Sequence, residues 1–320
     1  MEKKKLSSGS AAWLVMLWAA SLFVMQMVSH WVSPLFSEGW MQYVWTGIVE
    51  LTFILIPLAV VSRIQHVHTF VCIGSPRGEC RAIMLAAMIA LFGYPVMLLI
   101  QNLWIFLLET LGAVPEQIVL PEMKGIPELV IAVVSVAGCA AFTEEIAMRG
   151  VLMHGLRGRM GNGGAMLITA FIFSIMHGSF SSLPYTFLLG WLLCWLALRS
   201  RSILPAMTFH FVNNAIATVI SYFAQGAVME QAAMEVTPEI RLMSIVSMGF
   251  VVLPAAAVLA VLLYFYHRIT PGALPVKREQ GNPRWWMPMA AGAFVFAAWV
   301  INSAIYEFSG GAACVSMWFA

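Results

Sequence analysis

Long apolar stretches separated by short polar segments run through the whole chain. A helix rises about 1.5 Å per residue, so about 20 apolar residues are needed to cross a hydrocarbon core about 30 Å thick. Strand-like alternation is absent from these stretches. Nine of them are candidate membrane helices: 12–33, 42–62, 82–108, 128–153, 164–179, 184–199, 203–224, 242–267 and 286–306. The pattern predicts an all-α polytopic helical bundle of about nine transmembrane helices, in one integral-membrane domain over residues 1–320.

The composition narrows the class of protein further. Of the 320 residues, 61% are hydrophobic and 10% are charged, and the mean hydropathy is +0.86. These values exclude a water-soluble enzyme. The net charge is only +2. So slight a basic excess argues against a nucleic-acid partner, and none is expected.

The distribution of positive charge predicts how the chain is threaded through the bilayer. With the N-terminus in the cytoplasm, all Lys and Arg residues except Lys124 and Arg241 fall on the cytoplasmic side. The positive-inside rule therefore selects this orientation. We expect a multi-pass protein of the plasma membrane. The compact loops are typical of a bacterial membrane, with an archaeal one as the alternative.

Few ionisable residues lie inside the predicted spans. Such residues are costly in lipid, so those that remain usually face a protein interior or a cavity and indicate function. They are concentrated in the second, fourth, fifth and seventh spans: Glu50, Glu144, Glu145, Arg149, His177 and His210, with the amide of Asn214 beside them.

The fourth span carries a pair of adjacent glutamates. Glu145 and Arg149 are one helical turn apart on the same face, so they can form an ion pair. Glu144 is rotated by about 100° and lacks that partner. An unpaired carboxylate in a partly dry site suits a general base. The alternative is a single ion network of both glutamates with Arg149 at the edge of the membrane.

Two further pairs have the spacing of one helical turn. Phe173 precedes His177 in the fifth span, where the ring can shield the imidazole from lipid. His210 and Asn214 share a face of the seventh span, and each offers a hydrogen-bond donor. Two donors aimed at one point can form an oxyanion hole. A carboxylate, an imidazole and oxyanion donors together favour hydrolysis of an acyl bond, here a peptide.

The three pairs also match known motifs in their order along the chain. The motifs are Glu-Glu-x-x-x-Arg, Phe-x-x-x-His and His-x-x-x-Asn, all within about residues 125 to 225. In this core the sequence resembles the CPBP intramembrane proteases, named for CAAX-processing and bacteriocin-processing enzymes. The family is also called the Abi or type II CAAX prenyl endopeptidase-like family.

The resemblance implies a function and a role for each matching residue. The chain would be an intramembrane endopeptidase in which Glu144 and His177 activate the attacking water. His210 and Asn214 would stabilise the oxyanion, and Glu145, tied to Arg149, would hold Glu144 in place. The substrate would be a peptide or protein, with or without a lipid modification, that is associated with the membrane or enters from the cytoplasmic side. Membrane lipid would surround the enzyme.

The resemblance leaves two alternatives for the cofactor, zinc or no metal. The family has long been labelled metalloprotease, and Glu144, His177 and His210 could supply three zinc ligands with water as the fourth. The sequence contains nothing like His-Glu-x-x-His, however, and a metal-free glutamate mechanism resembles what is now favoured for the family. We therefore expect no metal cofactor, with zinc as the alternative.

Two other classes of function compete with a peptidase. A catalytically silent scaffold or immunity-type protein would use the same cavity to bind a partner membrane protein. A proton-coupled transporter could relay protons through Glu50 and the Glu144 pair, but the sequence has no paired halves. Glu50 itself is either a buried carboxyl bonded to a neighbouring helix or part of the substrate cavity.

The predicted depths of the two histidines do not agree. His177 lies about 20 Å beyond Gly164, whereas His210 lies about 10 Å beyond Ile203. The fifth helix is therefore expected to begin in the cytoplasm, or to be held below the membrane surface by the Gly-rich stretch 161–164.

Overall fold

The protein is built from helices joined by short connections. The computed structural model describes residues 7–36, 38–65, 79–115, 120–232 and 238–310, and these contain no strand. In chain order the α-helices are α1 (Ser8–Val32), α2 (Gly39–Gln65), α3 (Glu79–Thr110), α4 (Ile126–Ala132), α5 (Ala140–Glu144), α6 (His154–Met176), α7 (Leu183–Ser200), α8 (Leu204–Ala232), α9 (Pro238–Ile269) and α10 (Met287–Phe308). The predicted all-α class is confirmed.

Wide helical turns interrupt the centre of the chain. Val133–Cys139 and Glu145–Met153 are π-helical and connect α4, α5 and α6 without a break. Every residue of Glu145–Met153 is buried, and α1, α6 and α7 pack around this segment. Single π-helical turns are frequent at functional sites because they change the direction in which side chains point.

Seven helical stretches within the described residues are long and apolar enough to cross a membrane. This confirms a multi-pass membrane protein, and large apolar side chains such as Phe250 and Phe294 face outward as lipid requires. The stretch Ile126–Met176 counts once among the seven, and α8 is not one of them. The number of nine spans therefore stays a prediction.

The stretch Ile126–Met176 is a hairpin rather than one straight helix. Gly161 has a φ of 70° and a ψ of −178°, which breaks the helix. Arg149 and Phe173 lie equally far from Gly161 along the chain, and the Arg149 guanidinium carbon is 4.6 Å from the centre of the Phe173 ring. The two arms therefore run side by side. The helical arm that ends at His177 begins just after Gly161, and the relative depth of His177 and His210 in the membrane stays a prediction.

Candidate active site

Arg149 is the buried centre of the site. Its Nη1 donates to Glu145 Oε1 at 2.7 Å, and its Nη2 donates to the backbone oxygen of Gly190 at 3.1 Å. Both Arg149 and Glu145 are fully buried. The guanidinium also lies over the face of Phe173, so one side chain joins the Glu-Glu-x-x-x-Arg motif to α6 and α7. The ion pair predicted from the spacing is present.

Gly190 makes this arrangement sterically possible. A Cβ at this position would lie 3.0 Å from Cδ1 of Phe173 and 3.2 Å from the Cα of Ala170. The absence of a side chain allows α7 to approach α6 closely enough for Arg149 to reach its backbone. The sequence analysis missed Gly190, although a glycine inside an apolar span is typical of close helix packing.

His210 lies between the two glutamates. Its Nδ1 is 3.0 Å from Glu145 Oε1, and its Nε2 is 3.8 Å from Glu144 Oε2. Glu145 accepts from Arg149 and His210 through the same oxygen. A carboxylate can only accept, so the Nδ1 of His210 carries a hydrogen. This fixes the ring and directs Nε2 towards Glu144.

Glu144 differs from its neighbour in having no donor. It is 6% exposed, and its Oε2 is buried without a hydrogen-bond partner. No Lys or Arg of the described residues is within ion-pair distance of it. The alternative prediction is a single ion network of both glutamates with Arg149. The structure shows only part of such a network, because Arg149 bonds Glu145 alone and His210 lies between the two carboxylates.

His177 lies at the end of α6 and is exposed. Its Nδ1 donates to the Phe173 carbonyl at 2.7 Å, which leaves Nε2 as an acceptor in the neutral ring. Phe173 is fully buried and contacts both histidines, with ring centroids 4.8 Å from His177 and 6.0 Å from His210. Phe173 is fully buried while His177 beside it is exposed, so the phenyl ring does not cover the whole imidazole, and the shielding of His177 from lipid stays a prediction.

Asn214 is placed near the site but is engaged elsewhere. Its Nδ2 is 3.5 Å from the backbone oxygen of Val136, and its Oδ1 accepts from Asn213 at 3.2 Å. Asn213 also donates to the hydroxyl of Tyr185 at 2.9 Å. Asn213 and Tyr185 were not predicted from the sequence. Their only signal is that they are polar residues within predicted spans, Tyr185 in the sixth and Asn213 in the seventh.

Glu50 of α2 belongs to the surroundings of the site. It has no hydrogen bond to another helix in the described part of the chain, but it repels the negative charge of Glu144 and interacts with Cys139. Both interpretations of Glu50, a buried structural carboxyl and a contribution to the substrate cavity, stay predictions.

The zinc alternative requires three ligands grouped around one point. Among the described residues, no three His, Cys, Asp or Glu side chains are grouped closely enough to hold a metal ion. Nε2 of His210 lies 3.8 Å from Oε2 of Glu144, but His177 does not form a group of three with them. As arranged in this structure the three side chains do not fit a zinc site, and the expectation of no metal cofactor stays a prediction.

The fold and the site together define a class of protein. It is a multi-pass membrane bundle with a buried cluster of glutamate, arginine and histidine contributed by separate helices. Residues 126–216 match the family model described as type II CAAX prenyl endopeptidase Rce1-like. The matched segment carries all three motifs and confirms the resemblance to the CPBP or Abi family, which typically consists of proteases. It covers less than a third of the chain. No curated protein and no solved structure matches this chain.

Proposed function

We propose that this protein is a CPBP-type intramembrane endopeptidase that hydrolyses peptide bonds with an activated water. The observation that carries the proposal is the contrast between the two glutamates. Oε1 of Glu145 accepts hydrogen bonds from both Arg149 and His210, whereas Glu144 accepts from no donor of the described residues, has a buried Oε2 and faces Nε2 of His210 at 3.8 Å. A water oxygen about 2.8 Å from both groups would complete their hydrogen bonding.

Glu144 and His177 are assigned to activation of the water. Glu144 accepts a proton as the water oxygen bonds to the carbonyl carbon of the scissile peptide, and that proton later passes to the leaving amine. The acceptor Nε2 of His177 can receive the second hydrogen bond of the water and orient it. The rings of Phe173 and His210 contact each other; His177 lies beside Phe173, and Glu144 lies beside His210. This arrangement supports the action of His177 and Glu144 on one substrate.

His210 and Asn214 are assigned to the oxyanion. The hydrogen bond from Nδ1 to Glu145 orients His210, so that the imidazolium form, which carries a hydrogen on both ring nitrogens, can donate a hydrogen bond from Nε2 to the oxyanion of the tetrahedral intermediate. Asn214 Nδ2 is held only by a long contact of 3.5 Å with Val136, so substrate can replace this partner. Glu145 and Arg149 position His210 as well as the backbone of Glu144.

The substrate is proposed to be a peptide or protein, lipidated or not, that reaches the site from the membrane or from its cytoplasmic side. The enzyme would need no metal and no nucleic acid, and bilayer lipid would be its immediate environment. We place it in a bacterial plasma membrane, with an archaeal one as the alternative.

The first prediction tests this activity directly. Purified, detergent-solubilised protein is incubated with prenylated and unmodified peptides, and the products are read by mass spectrometry. Glu144→Gln keeps the shape of the side chain and removes the base, so cleavage should fall by about 10²–10⁴-fold. Glu38→Gln, at an exposed glutamate just before α2, is the matched control and should cleave as the wild type does.

A zinc chelator is added to parallel samples. Cleavage that persists supports the metal-free mechanism, whereas activity lost on chelation and restored by zinc would contradict it. Wild-type cleavage by Glu144→Gln would remove Glu144 from the mechanism. A folded wild type that cleaves no peptide but binds a partner membrane protein would favour the silent scaffold.

A further inference from the structure

The turn between α6 and α7, residues 177–182, carries one of the residues assigned to catalysis. The backbone N–H groups of His177 and Gly178 donate to Ser174 and Ile175 at 3.3 and 3.1 Å, which closes the end of α6. Gly178 then takes a left-handed φ of 69° and directs the chain away from the helix. The place of the His177 ring therefore depends on how this turn is held.

Helix α10 holds the far end of the turn through two polar side chains. Ser303 Oγ accepts from the backbone N–H of Phe180 at 3.1 Å. Glu307 Oε1 accepts from the hydroxyl of Ser181 at 2.5 Å, from its backbone N–H at 3.3 Å and from Ser303 at 3.3 Å. Three donors thus converge on one carboxylate oxygen.

The same helix also packs against the near end of the turn. The indole of Trp299 lies directly against the Cα of Gly178, where a Cβ would overlap the ring. Trp299, Ser303 and Glu307 are four residues apart and therefore share one face of α10. This face contacts the turn along its whole length, beginning at the residue that follows His177.

Helix α3 completes the enclosure from another side. Gln101 Nε2 donates to the backbone oxygen of Ser181 at 2.8 Å, and Trp104 Nε1 donates to that of Phe180 at 3.2 Å. The N–H groups of Phe180 and Ser181 are therefore bound by α10 and their carbonyls by α3. Neither helix belongs to the segment that matches the family model.

Burial of Glu307 at this position costs free energy. It is fully buried, and no Lys or Arg in the described chain pairs with it. A buried carboxylate without a cation is destabilising unless hydrogen bonds compensate it, and residues of this kind within a membrane protein usually have a function. Two of the three donors to Glu307 come from the turn itself.

We propose that Glu307 is a positioning residue that holds the 177–182 turn, and with it His177, in register with Glu144 and His210. The role rests on the proposed peptidase function. Glu307 touches no reacting atom and acts through Ser181 and the turn.

The test compares variants of the full-length protein. Glu307→Ala removes the acceptor of Ser181, so kcat should fall by about 10–100-fold per folded molecule, with KM changed by less than about twofold. Glu307→Gln keeps an acceptor oxygen and should restore kcat to within about threefold of wild type. Tyr266→Phe, which removes a buried hydrogen bond from α9 to Leu196, is the matched control and should leave kcat unchanged.

A second readout does not depend on cleavage. Diethyl pyrocarbonate modifies exposed histidines, and mass spectrometry gives the rate at each site. Glu307→Ala should raise the rate at His177 by about threefold or more, because a loosened turn releases Nδ1 from the Phe173 carbonyl and leaves both ring nitrogens free to react. The rate at His30, which is exposed in the last turn of α1, should stay the same in all variants.

The outcomes separate this inference from the proposed function. If wild type cleaves nothing, the peptidase proposal fails while the modification rate at His177 still decides whether Glu307 holds the turn. If Glu307→Ala does not fold, Ser303→Ala, which removes the acceptor of Phe180 and one of the three donors to Glu307, is measured in its place. Wild-type kcat together with an unchanged rate at His177 in the folded variant would overturn the proposal.

Discussion

At the scale of single residues, two adjacent glutamates have different environments because they meet different partners. Glu145 bonds Arg149 and His210, whereas Glu144 has only the more distant Nε2 of His210. The spacing predicts the Glu145–Arg149 pair, since residues four apart on a helix are neighbours. It cannot predict the bond to His210, which joins residues far apart in the chain, nor that between Arg149 and Gly190.

Arg149 is predicted to be essential for stability as well as for activity. Arg149→Met keeps much of the side-chain volume but leaves Glu145 buried without a cation, which should cost about 3–5 kcal/mol of unfolding free energy. Denaturation in detergent, followed by circular dichroism, measures the loss. The double variant Glu145→Gln/Arg149→Met should recover part of it, because the uncompensated charge is gone. Equal stability of the single and double variants would contradict this account.

At this scale, the sequence predicts contacts between residues one helical turn apart and few others. The one-turn spacing of Phe173 and His177 correctly predicts that their rings touch. It does not predict that His177 is exposed, because exposure depends on α3 and α10, which pack on the following turn. The assigned roles of Glu144, Glu145, His177, His210 and Asn214 remain predictions that the cleavage experiment tests.

At the scale of helices, the apolar runs predict where the helices lie but not where they change direction. The predicted fifth span is 164–179, whereas α6 ends at Met176 and its backbone breaks at Gly161. Both limits are set by glycines with positive φ, Gly161 and Gly178. The sequence shows several glycines in each region, and hydropathy does not indicate which of them adopts that conformation.

The contact between α6 and α7 should depend on Gly190. Gly190→Ala places a methyl group 3.2 Å from the Cα of Ala170, which cannot move aside as a flexible side chain would. We expect a destabilisation of about 1–3 kcal/mol and weaker activity as the Arg149–Gly190 bond lengthens. Gly249→Ala on α9 is the control, since no atom lies within 4 Å of the added Cβ, and it should be neutral or slightly stabilising. Similar denaturation midpoints for the two variants would contradict this role of Gly190.

At the scale of the whole molecule, contacts between connecting segments agree with the predicted threading. Arg241 pairs with Glu109 at 2.6 Å, and both are predicted to lie outside. Glu279 accepts from the backbone N–H of Ser8 at 3.1 Å at the opposite end, where both are predicted to lie inside. The bundle class follows from sequence because a lipid-exposed backbone must satisfy its own hydrogen bonds. Which helices contact each other depends on side-chain shape and cannot be predicted from hydropathy.

These contacts fix which segments share a side of the membrane but not which side is cytoplasmic, so the orientation is a separate prediction. With the five native cysteines replaced, single cysteines are introduced as Lys124→Cys and Arg284→Cys, both at exposed positions. The positive-inside rule places Lys124 outside and Arg284 inside. A membrane-impermeant maleimide should therefore label the first variant on intact cells and the second only after lysis. The reverse pattern would invert the threading, and labelling of both on intact cells would mean that a membrane crossing between the two positions has been assigned wrongly.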